Sequence, residues 1–226
     1  MTSEAIRRGL EAQHRHLRER LSAGMPRLGW KIAINDPAMQ RRLGIEGPLV
    51  GYLRGDASVA PGSVYRLGPG ARGAAEVEIA LRIGRDVAAG AEPGVARAAI
   101  ASLAPAIEVV DYSLPSEPLA ALVEHDFFHR AVVLGDAVRA GAGLEGVAPR
   151  VLRGGAEEER GDLGLIPGDL GDLVRLVAET LAPLGDGVRA GDVIISGALT
   201  RPLRVAPGDR IAADLGALGS VEVRFA

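Results

Sequence analysis

Two glutamates stand close together in a segment with the pattern of a β-strand. In GAAEVEIALRIGRDV, Val77, Ile79 and Leu81 occupy every second position, and Glu76 and Glu78 flank the first of them. Side chains alternate between the two faces of a strand, so both carboxylates should point the same way. The pair can hold a cation, or it can line the solvated face of an edge strand. The spacing alone leaves both interpretations open.

A third glutamate has similar apolar surroundings. Glu108 lies in LAPAIEVVDYS between Ile107 and Val109. Burying such carboxylates uncompensated would cost several kcal/mol each, because ions lose their hydration in a protein interior. The chain has no cysteine and neither strand contains a histidine, so nothing indicates a soft metal. Mg²⁺ or Mn²⁺ takes carboxylate oxygens and keeps open positions for a substrate, so these residues favour a hard divalent cation.

Composition narrows the class of protein. The 26 basic and 29 acidic residues give a net charge of −3, and no long block of like charge predicts a nucleic-acid or membrane partner. The polar N-terminal stretch lacks the apolar centre of a signal peptide. No segment approaches the ~20 apolar residues of a membrane helix. With no cysteine for disulfides, these features predict a soluble, cytoplasmic protein.

The periodicity predicts many short strands and few helices. Helices are expected at 4–23 and 169–183, with a weaker one at 93–102. The candidate strands are 29–34, 63–67, 76–84, 106–112, 130–139, 149–153, 192–196, 203–206 and 220–225. The Gly/Ala-rich stretch 140–148 reads as a loop, so we expect a single domain over 1–226. This order favours a β-sandwich or β-roll with helices at its periphery.

Several motifs in order resemble one enzyme family. AEVEIALRIGRDV, APAIEVVD and the C-terminal GDVIISGALTRPLRVAPGDRIAADLGALGSVEVRF resemble the 2-keto-4-pentenoate hydratase and 4-oxalocrotonate decarboxylase family, within the fumarylacetoacetase-like superfamily. GWKIAINDPAMQRRLGIEGPLVGYLRGD resembles the N-terminal signature of that family. The similarity covers nearly the whole chain. It implies an α+β fold, a mixed β-roll or sandwich of the fumarylacetoacetase C-terminal type with peripheral helices.

The resemblance also implies a site and an assembly. It places one Mg²⁺ or Mn²⁺ on Glu76, Glu78 and Glu108, the acids that the burial argument selects. It implies that Lys31 and Asp56 are catalytic, and that the chain forms a homo-oligomer, either a dimer or an assembly of dimers. The residues expected to contact substrate are Lys31, Phe128, His129 and Thr200.

Lys31 and Asp56 each have an ordinary explanation as well. Lys31, in GWKIAI, can donate a proton or anchor a carboxylate near a metal, or its stem can pack along the sheet while its head reaches water. Asp56, in RGD, is either a turn aspartate or the general acid/base that the family match favours.

One segment departs from the family. Hydratases of this kind usually carry a small polar sequence resembling DNAS where this chain has EHDFFHRAVVLG. In one interpretation Phe127 and Phe128 form an apolar pocket wall and a histidine replaces a lost serine. In the other the phenylalanines belong to the core, and His125 and His129 lie at the rim. The second is favoured, since aromatic residues near strands usually pack in cores.

The expected activity is that of a divalent-metal-dependent lyase. The resemblance implies a short 2-oxo acid or its dienol as substrate, most simply hydration of a 2-hydroxy-2,4-dienoate to a 4-hydroxy-2-oxo acid through a metal-stabilised enolate, as in aromatic catabolism. A decarboxylase of a 4-oxalocrotonate-like acid, a specialised biosynthetic enzyme with a reshaped pocket, and a non-catalytic metal-binding assembly subunit are alternatives. A hydrolase ranks last, because no histidine occurs between 30 and 60 to activate water.

Overall fold

The computed structural model describes residues 2–139 and 143–226. Its helices are α1 (Thr2–Ser22), α2 (Pro37–Leu43), α3 (Pro93–Ala98), α4 (Leu119–Glu124) and α5 (Leu170–Leu181). α1 and α5 confirm the two main helix predictions, whereas the third helix ends four residues before its predicted end. Among the described helices, none combines the length and the apolar character needed to cross a membrane.

The larger sheet has nine strands, with order β2-β1-β11-β5-β6-β7-β3; β12 also pairs with β5, and β8 with β6. Its strands are β1 (Arg27–Ala33), β2 (Leu49–Arg54), β3 (Ser58–Val59), β5 (Gly73–Ile83), β6 (Ile100–Asp111), β7 (His129–Leu134), β8 (Val138–Arg139), β11 (Val193–Ile195) and β12 (Leu203–Arg204). β1 runs parallel to β11, while β5 and β6 are antiparallel. The sheet is therefore mixed.

The second sheet has five strands in the order β10-β9-β13-β14-β4. They are β4 (Val64–Tyr65), β9 (Val147–Arg153), β10 (Ala156–Arg160), β13 (Arg210–Gly216) and β14 (Ser220–Phe225). With two mixed sheets and helices at their margins, the molecule has the predicted α+β class. Residues 140–142 of the predicted loop lie outside the described residues, and the rest of that stretch forms a turn leading into β9.

The main core lies between the two sheets and α5. Ile107 of β6, Val223 of β14 and Leu173 of α5 belong to one cluster and are fully buried. α5 places its apolar residues on one face and begins with a capping box, in which Asp169 accepts from the amides of Gly171 and Asp172. This packing holds β5 and β6 rigidly at the centre of the molecule.

β5 is an interior strand with both faces covered. It lies between β11 and β6, and almost all of its residues are buried. The interpretation of Glu76 and Glu78 as the wet face of an edge strand is therefore wrong. Strands buried on both faces read as nearly continuous apolar sequence, and here the glutamates interrupt that sequence.

Candidate metal centre and cavity

Three glutamates meet on one face of the β5–β6 pair. Glu76 and Glu108 are direct partners in the antiparallel register, and Glu78 pairs with Ala106 two positions along. One carboxylate oxygen from each glutamate can be chosen so that all three lie within 4.8 Å of one another. The register that pairs two long strands thus builds a compact group of acids.

Burial and mutual repulsion raise the pKa values of two of these acids. Burial and the nearby Glu108 raise the pKa of Glu76 to about 7, although Lys31 and the Tyr112 hydroxyl, which donates to Glu76 Oε1 at 2.9 Å, oppose the change. Burial, followed by the charges of Glu108 and Glu76, raises the pKa of Glu78 well above its usual value. The cluster is electrostatically unfavourable without a cation.

Glu108 is the ionised member of the cluster. Its Oε1 accepts from the Lys31 ammonium and lies 2.8 Å from His129 Nδ1. Burial would raise the pKa of Glu108, but Lys31 and His129 outweigh burial and hold it below its usual value. Both partners converge on the same oxygen, which leaves Oε2 for another ligand.

The donor set fits a hard divalent cation. Glu78 Oε1 and Glu108 Oε2 are buried and have no hydrogen-bond partner among the described residues. Glu78 Oε2 is satisfied by the Gly197 amide at 2.7 Å. Buried carboxylate oxygens left unpaired are costly, and oxygen ligands of this kind are those that Mg²⁺ and Mn²⁺ prefer. Glu76, Glu78 and Glu108 could therefore hold such an ion.

Lys31 is the only lysine in a chain that otherwise uses arginine for its fixed positive charges. It lies on β1, is 2% exposed and reaches the cluster across the sheet. Burial would lower the pKa of Lys31, but Glu108, Asp126 and Glu76 together raise it above its usual value. The ammonium is therefore a retained, buried charge rather than a head group that reaches water.

His129 forms a hydrogen bond with Glu108. The Arg54 amide donates to His129 Nε2 at 3.3 Å, so Nε2 is the acceptor and Nδ1 carries the proton that Glu108 accepts. Burial lowers the pKa of His129 despite Glu108, and a neutral ring follows. Its side chain is fully buried and does not line the cavity. The prediction that His129 contacts substrate directly does not match this position.

A strained turn places a fourth acid beside Lys31. Asp126, Phe127 and Phe128 all have positive φ angles, of 56°, 50° and 71°, which side chains other than glycine adopt at a cost. Asp126 Oδ1 accepts from the Tyr52 amide at 2.9 Å, while buried Oδ2 has no partner among the described residues. Burial raises the pKa of Asp126 well above its usual value.

A glycine allows Asp126 and Lys31 to approach each other. A Cβ at Gly51 would overlap Asp126 Oδ1 and lie 3.0 Å from Lys31 Cγ. The segment around Asp126 departs from the family pattern, but the sequence alone predicts no role for this acid. The signal available was a charged residue among the rare phenylalanines of the chain.

An open cavity of about 820 Å³ leads to the cluster. Lys31 and Glu76 line it, whereas Glu78 and Glu108 lie behind them. α2, α4 and the turn that follows α4 contribute an apolar side that includes Met39, Leu43, Leu119, Leu122, Phe127 and Phe128. The volume is in the range of small-molecule sites.

The structure separates the two phenylalanines. Phe127 is 5% exposed and packs with Ala33 and Val123, although an edge of it also lines the cavity. Phe128 is half-buried and lies 4.9 Å from the Tyr112 ring, between centroids. Phe127 thus lies in the core, as one interpretation of the segment expects, and both phenylalanines line the cavity, as the other expects. His125 is exposed.

Thr200, which is expected to contact substrate, lies at the cavity wall. It lines the cavity and is 5% exposed, and its Oγ1 has no hydrogen-bond partner among the described residues. The hydroxyl can therefore donate to, or accept from, a bound molecule.

Asp56 does not join the cluster. Its side chain is 43% exposed, forms an ion pair with Arg54 at 3.1 Å, and is not among the residues that line the cavity. The Arg54 hydrogen bond lowers the pKa of Asp56 despite partial burial. An exposed, ion-paired carboxylate is poorly placed for proton transfer in the cavity, so the general acid/base role expected for Asp56 stays a prediction that this geometry does not favour. Asp126 is the acid that faces Lys31.

Comparison with known proteins agrees with the resemblance. Residues 31–226 match the fumarylacetoacetate (FAA) hydrolase C-terminal family, so the chain belongs to that family. A 4-oxalocrotonate decarboxylase of Pseudomonas putida is 30% identical over 88% of this chain and 77% of its own length. The 2-keto-4-pentenoate hydratase 2 of Dechloromonas aromatica is 28% identical over 91% of this chain and 80% of its own.

A solved structure extends the likeness to the fold. The 4-oxalocrotonate decarboxylase of Pseudomonas putida G7, complexed with magnesium and adipate, superposes with a TM-score of 0.89. It is 25% identical and covers 100% of this chain and 86% of that one. The predicted family and fold class are confirmed.

Proposed function

We propose that this chain is a divalent-metal-dependent lyase acting on a short 2-oxo acid or its dienol. The reaction we favour is hydration of a 2-hydroxy-2,4-dienoate to a 4-hydroxy-2-oxo acid. The observation that carries the proposal is the group formed by Glu76, Glu78 and Glu108, with two unpartnered oxygens, beside a cavity lined by Lys31. Relatives with hydratase and decarboxylase names support the class of reaction.

In this proposal Glu76, Glu78 and Glu108 hold Mg²⁺ or Mn²⁺. The ion, when bound, supplies a Lewis acid for the carboxylate and 2-oxo oxygens of the substrate. His129 keeps Glu108 ionised and correctly turned, which is the usual task of a group behind a metal ligand.

Lys31 is the proposed proton donor and carboxylate anchor. Its ammonium lies at the cavity wall between the cluster and the strained turn. Asp126 lies behind it, where a buried acid can stabilise the ammonium and return a proton to it. Thr200 offers the substrate a hydroxyl. Together these groups supply the acid/base steps that hydration of a dienol needs.

Decarboxylation of a 4-oxalocrotonate-like acid is the second candidate. It needs the same electron sink and the same anchoring of a 2-oxo acid, and a decarboxylase is among the relatives. The proposal also includes one catalytic domain over 1–226, a homo-oligomeric assembly and a cytoplasmic location, as the sequence analysis expects.

Parallel assays with metal-stripped protein test the proposal. Loss of 2-hydroxypenta-2,4-dienoate absorbance measures hydration, and CO₂ release from 4-oxalocrotonate measures decarboxylation, each with and without added Mg²⁺. Turnover that requires Mg²⁺ and is absent in Glu78→Gln supports the proposal and identifies the reaction. Exposed Glu92 provides a matched control, because Glu92→Gln makes the same chemical change away from the cavity. Equal turnover in Glu78→Gln and wild type, or turnover unchanged by metal removal, would contradict it.

A further inference from the structure

Two arginines lie at the cavity without an acidic partner. Arg72, just before β5, and Arg204, on β12, both line the cavity, and neither forms a salt bridge with a described acidic side chain. Their hydrogen bonds go to backbone oxygens instead: Arg72 donates to the Tyr112 carbonyl, and Arg204 donates to the Arg72 carbonyl at 3.1 Å. The pair is thus fixed in position while its charge stays uncompensated.

Two other arginines of the same cavity are neutralised. Arg201 forms an ion pair with Glu159 at 3.2 Å, and Arg160 with Glu157 at 2.9 Å. Arg42 of α2 also lines the cavity without a salt bridge to a described acidic side chain. Arg72 and Arg204 differ from it because a hydrogen bond joins the two residues and holds them side by side.

Tyr112 connects the two arginines to the glutamate cluster. The Arg204 guanidinium carbon lies 4.8 Å from the centroid of the Tyr112 ring, and the hydroxyl of the same ring donates to Glu76. Phe128 packs against Tyr112 and limits its movement. One tyrosine ring thus separates the guanidinium from a candidate metal ligand, a separation suited to the two ends of one small molecule.

We propose that Arg72 and Arg204 form a second anion subsite, which binds the distal carboxylate of a 2-oxo dicarboxylic acid. The 2-oxo acid end would lie at the glutamate cluster, so this inference rests on the proposed function. Guanidinium groups present planar donors that match a carboxylate, and charge-assisted hydrogen bonds are stronger than neutral ones. A substrate with an apolar tail would instead use the α2 and α4 side of the cavity, and would gain nothing from the arginines.

A matched pair of ligands isolates the distal group. 2-Oxohexanedioate and 2-oxohexanoate have the same chain length and differ by a carboxylate in place of a methyl group. Calorimetric titration of the Mg²⁺-loaded full chain should show the dicarboxylate binding about tenfold tighter, a modest value because both arginines are exposed. The advantage should shrink as ionic strength rises.

Variants locate the effect. The double variant Arg72→Gln/Arg204→Gln should bind the two acids with equal affinity, and its affinity for 2-oxohexanoate should stay that of wild type, which also reports correct folding. Arg224→Gln removes an exposed charge from β14, outside the cavity lining, and should keep the tenfold preference. Arg204→Lys retains the charge and should keep part of it.

The outcomes separate the two proposals. Equal affinities in the wild type, or a dicarboxylate preference that survives in the double variant, would overturn the arginine subsite and leave the metal-dependent reaction standing. Failure of both acids to bind in a Mg²⁺-dependent way would contradict the proposed function itself, and the subsite with it.

Discussion

Glu76 and Glu108 face each other directly across the β5–β6 pair. Like charges at opposed positions destabilise a sheet, and this pair lies in an interior where neither side chain is well hydrated. Tyr112 holds one of the two, and Lys31 and His129 hold the other. The sheet therefore carries an electrostatic cost at its centre that a divalent cation would remove, and each expectation below depends on that relationship.

The stability of the metal-free protein should fall as pH rises from about 4.5 through about 7. The pKa of Glu76 is raised from 4.5 to about 7 in the fold, so its protonated form stabilises the native state and that contribution is lost as the group ionises. At ~1.4 kcal/mol per pKa unit, the effect is on the order of 3 kcal/mol. Urea unfolding at pH 5 and pH 8 measures it.

Comparison of wild type with Glu76→Gln isolates the contribution of Glu76 to stability. The comparison is needed because burial lowers the pKa of His129, which changes stability with pH in the opposite direction below pH 6.5. The variant should show a smaller decline in stability between pH 5 and pH 8, and the remaining decline reflects Glu78 and Asp126, whose pKa values are also raised. A decline of equal size in both proteins would refute the assignment to Glu76.

Glu78→Gln should remove stabilisation by Mg²⁺. In wild type, ligand binding to the native state raises the unfolding free energy by about 2.7 kcal/mol at a hundred times Kd. The variant retains the shape of the side chain but loses the carboxylate, one oxygen of which has no protein partner. Thermal unfolding with and without Mg²⁺ should show a shift in wild type and in Glu92→Gln, and none in Glu78→Gln. An undiminished shift in the variant would exclude Glu78 as a ligand.

His129→Ala should weaken metal binding about 10- to 100-fold, the usual effect of removing a group that orients a metal ligand. His129→Asn can place an amide near the position of Nδ1 and should recover much of the affinity. A purely structural role would instead give similar losses in both variants. Metal titration followed by calorimetry distinguishes these results.

Lys31→Met should lower turnover about 10²- to 10⁴-fold, as expected for loss of a proton-transfer group, without weakening Mg²⁺ binding. The substitution removes a positive charge that repels a cation bound at Glu108. Because Lys31 is the only lysine, ¹⁵N-lysine labelling gives a single side-chain signal in the wild type. Mg²⁺ should shift that signal saturably. A signal indifferent to Mg²⁺ would place the ion elsewhere.

Sequence reasoning located the residues whose positions follow from strand alternation. Glu76, Glu78 and Glu108 lie in regular strands, so their shared face follows from a period of two. The first half of β6 was missed because Pro105 argues against a strand interior, yet Pro105 pairs with Ile79 there. The sequence analysis predicted no strand at β2, β3, β10 or β13 either.

The positions of Asp56 and Asp126 depend on tertiary geometry. Asp56 accepts a hydrogen bond from Arg54, two residues away. The residue types alone do not specify this partner. Asp126 reaches Lys31 only through three consecutive residues with positive φ and the space left by Gly51. No local propensity favours that turn, so only the folded chain reveals it.

Titration of metal-stripped protein with Mg²⁺, in the presence and absence of pyruvate, measures whether the three glutamates bind a cation that a 2-oxo acid can chelate. We expect one saturable site per chain, a higher Mg²⁺ affinity when pyruvate is present, and loss of both in Glu108→Ala. No saturable binding, or binding that neither pyruvate nor this substitution changes, would contradict the assignment of these three glutamates to a substrate-chelating metal centre.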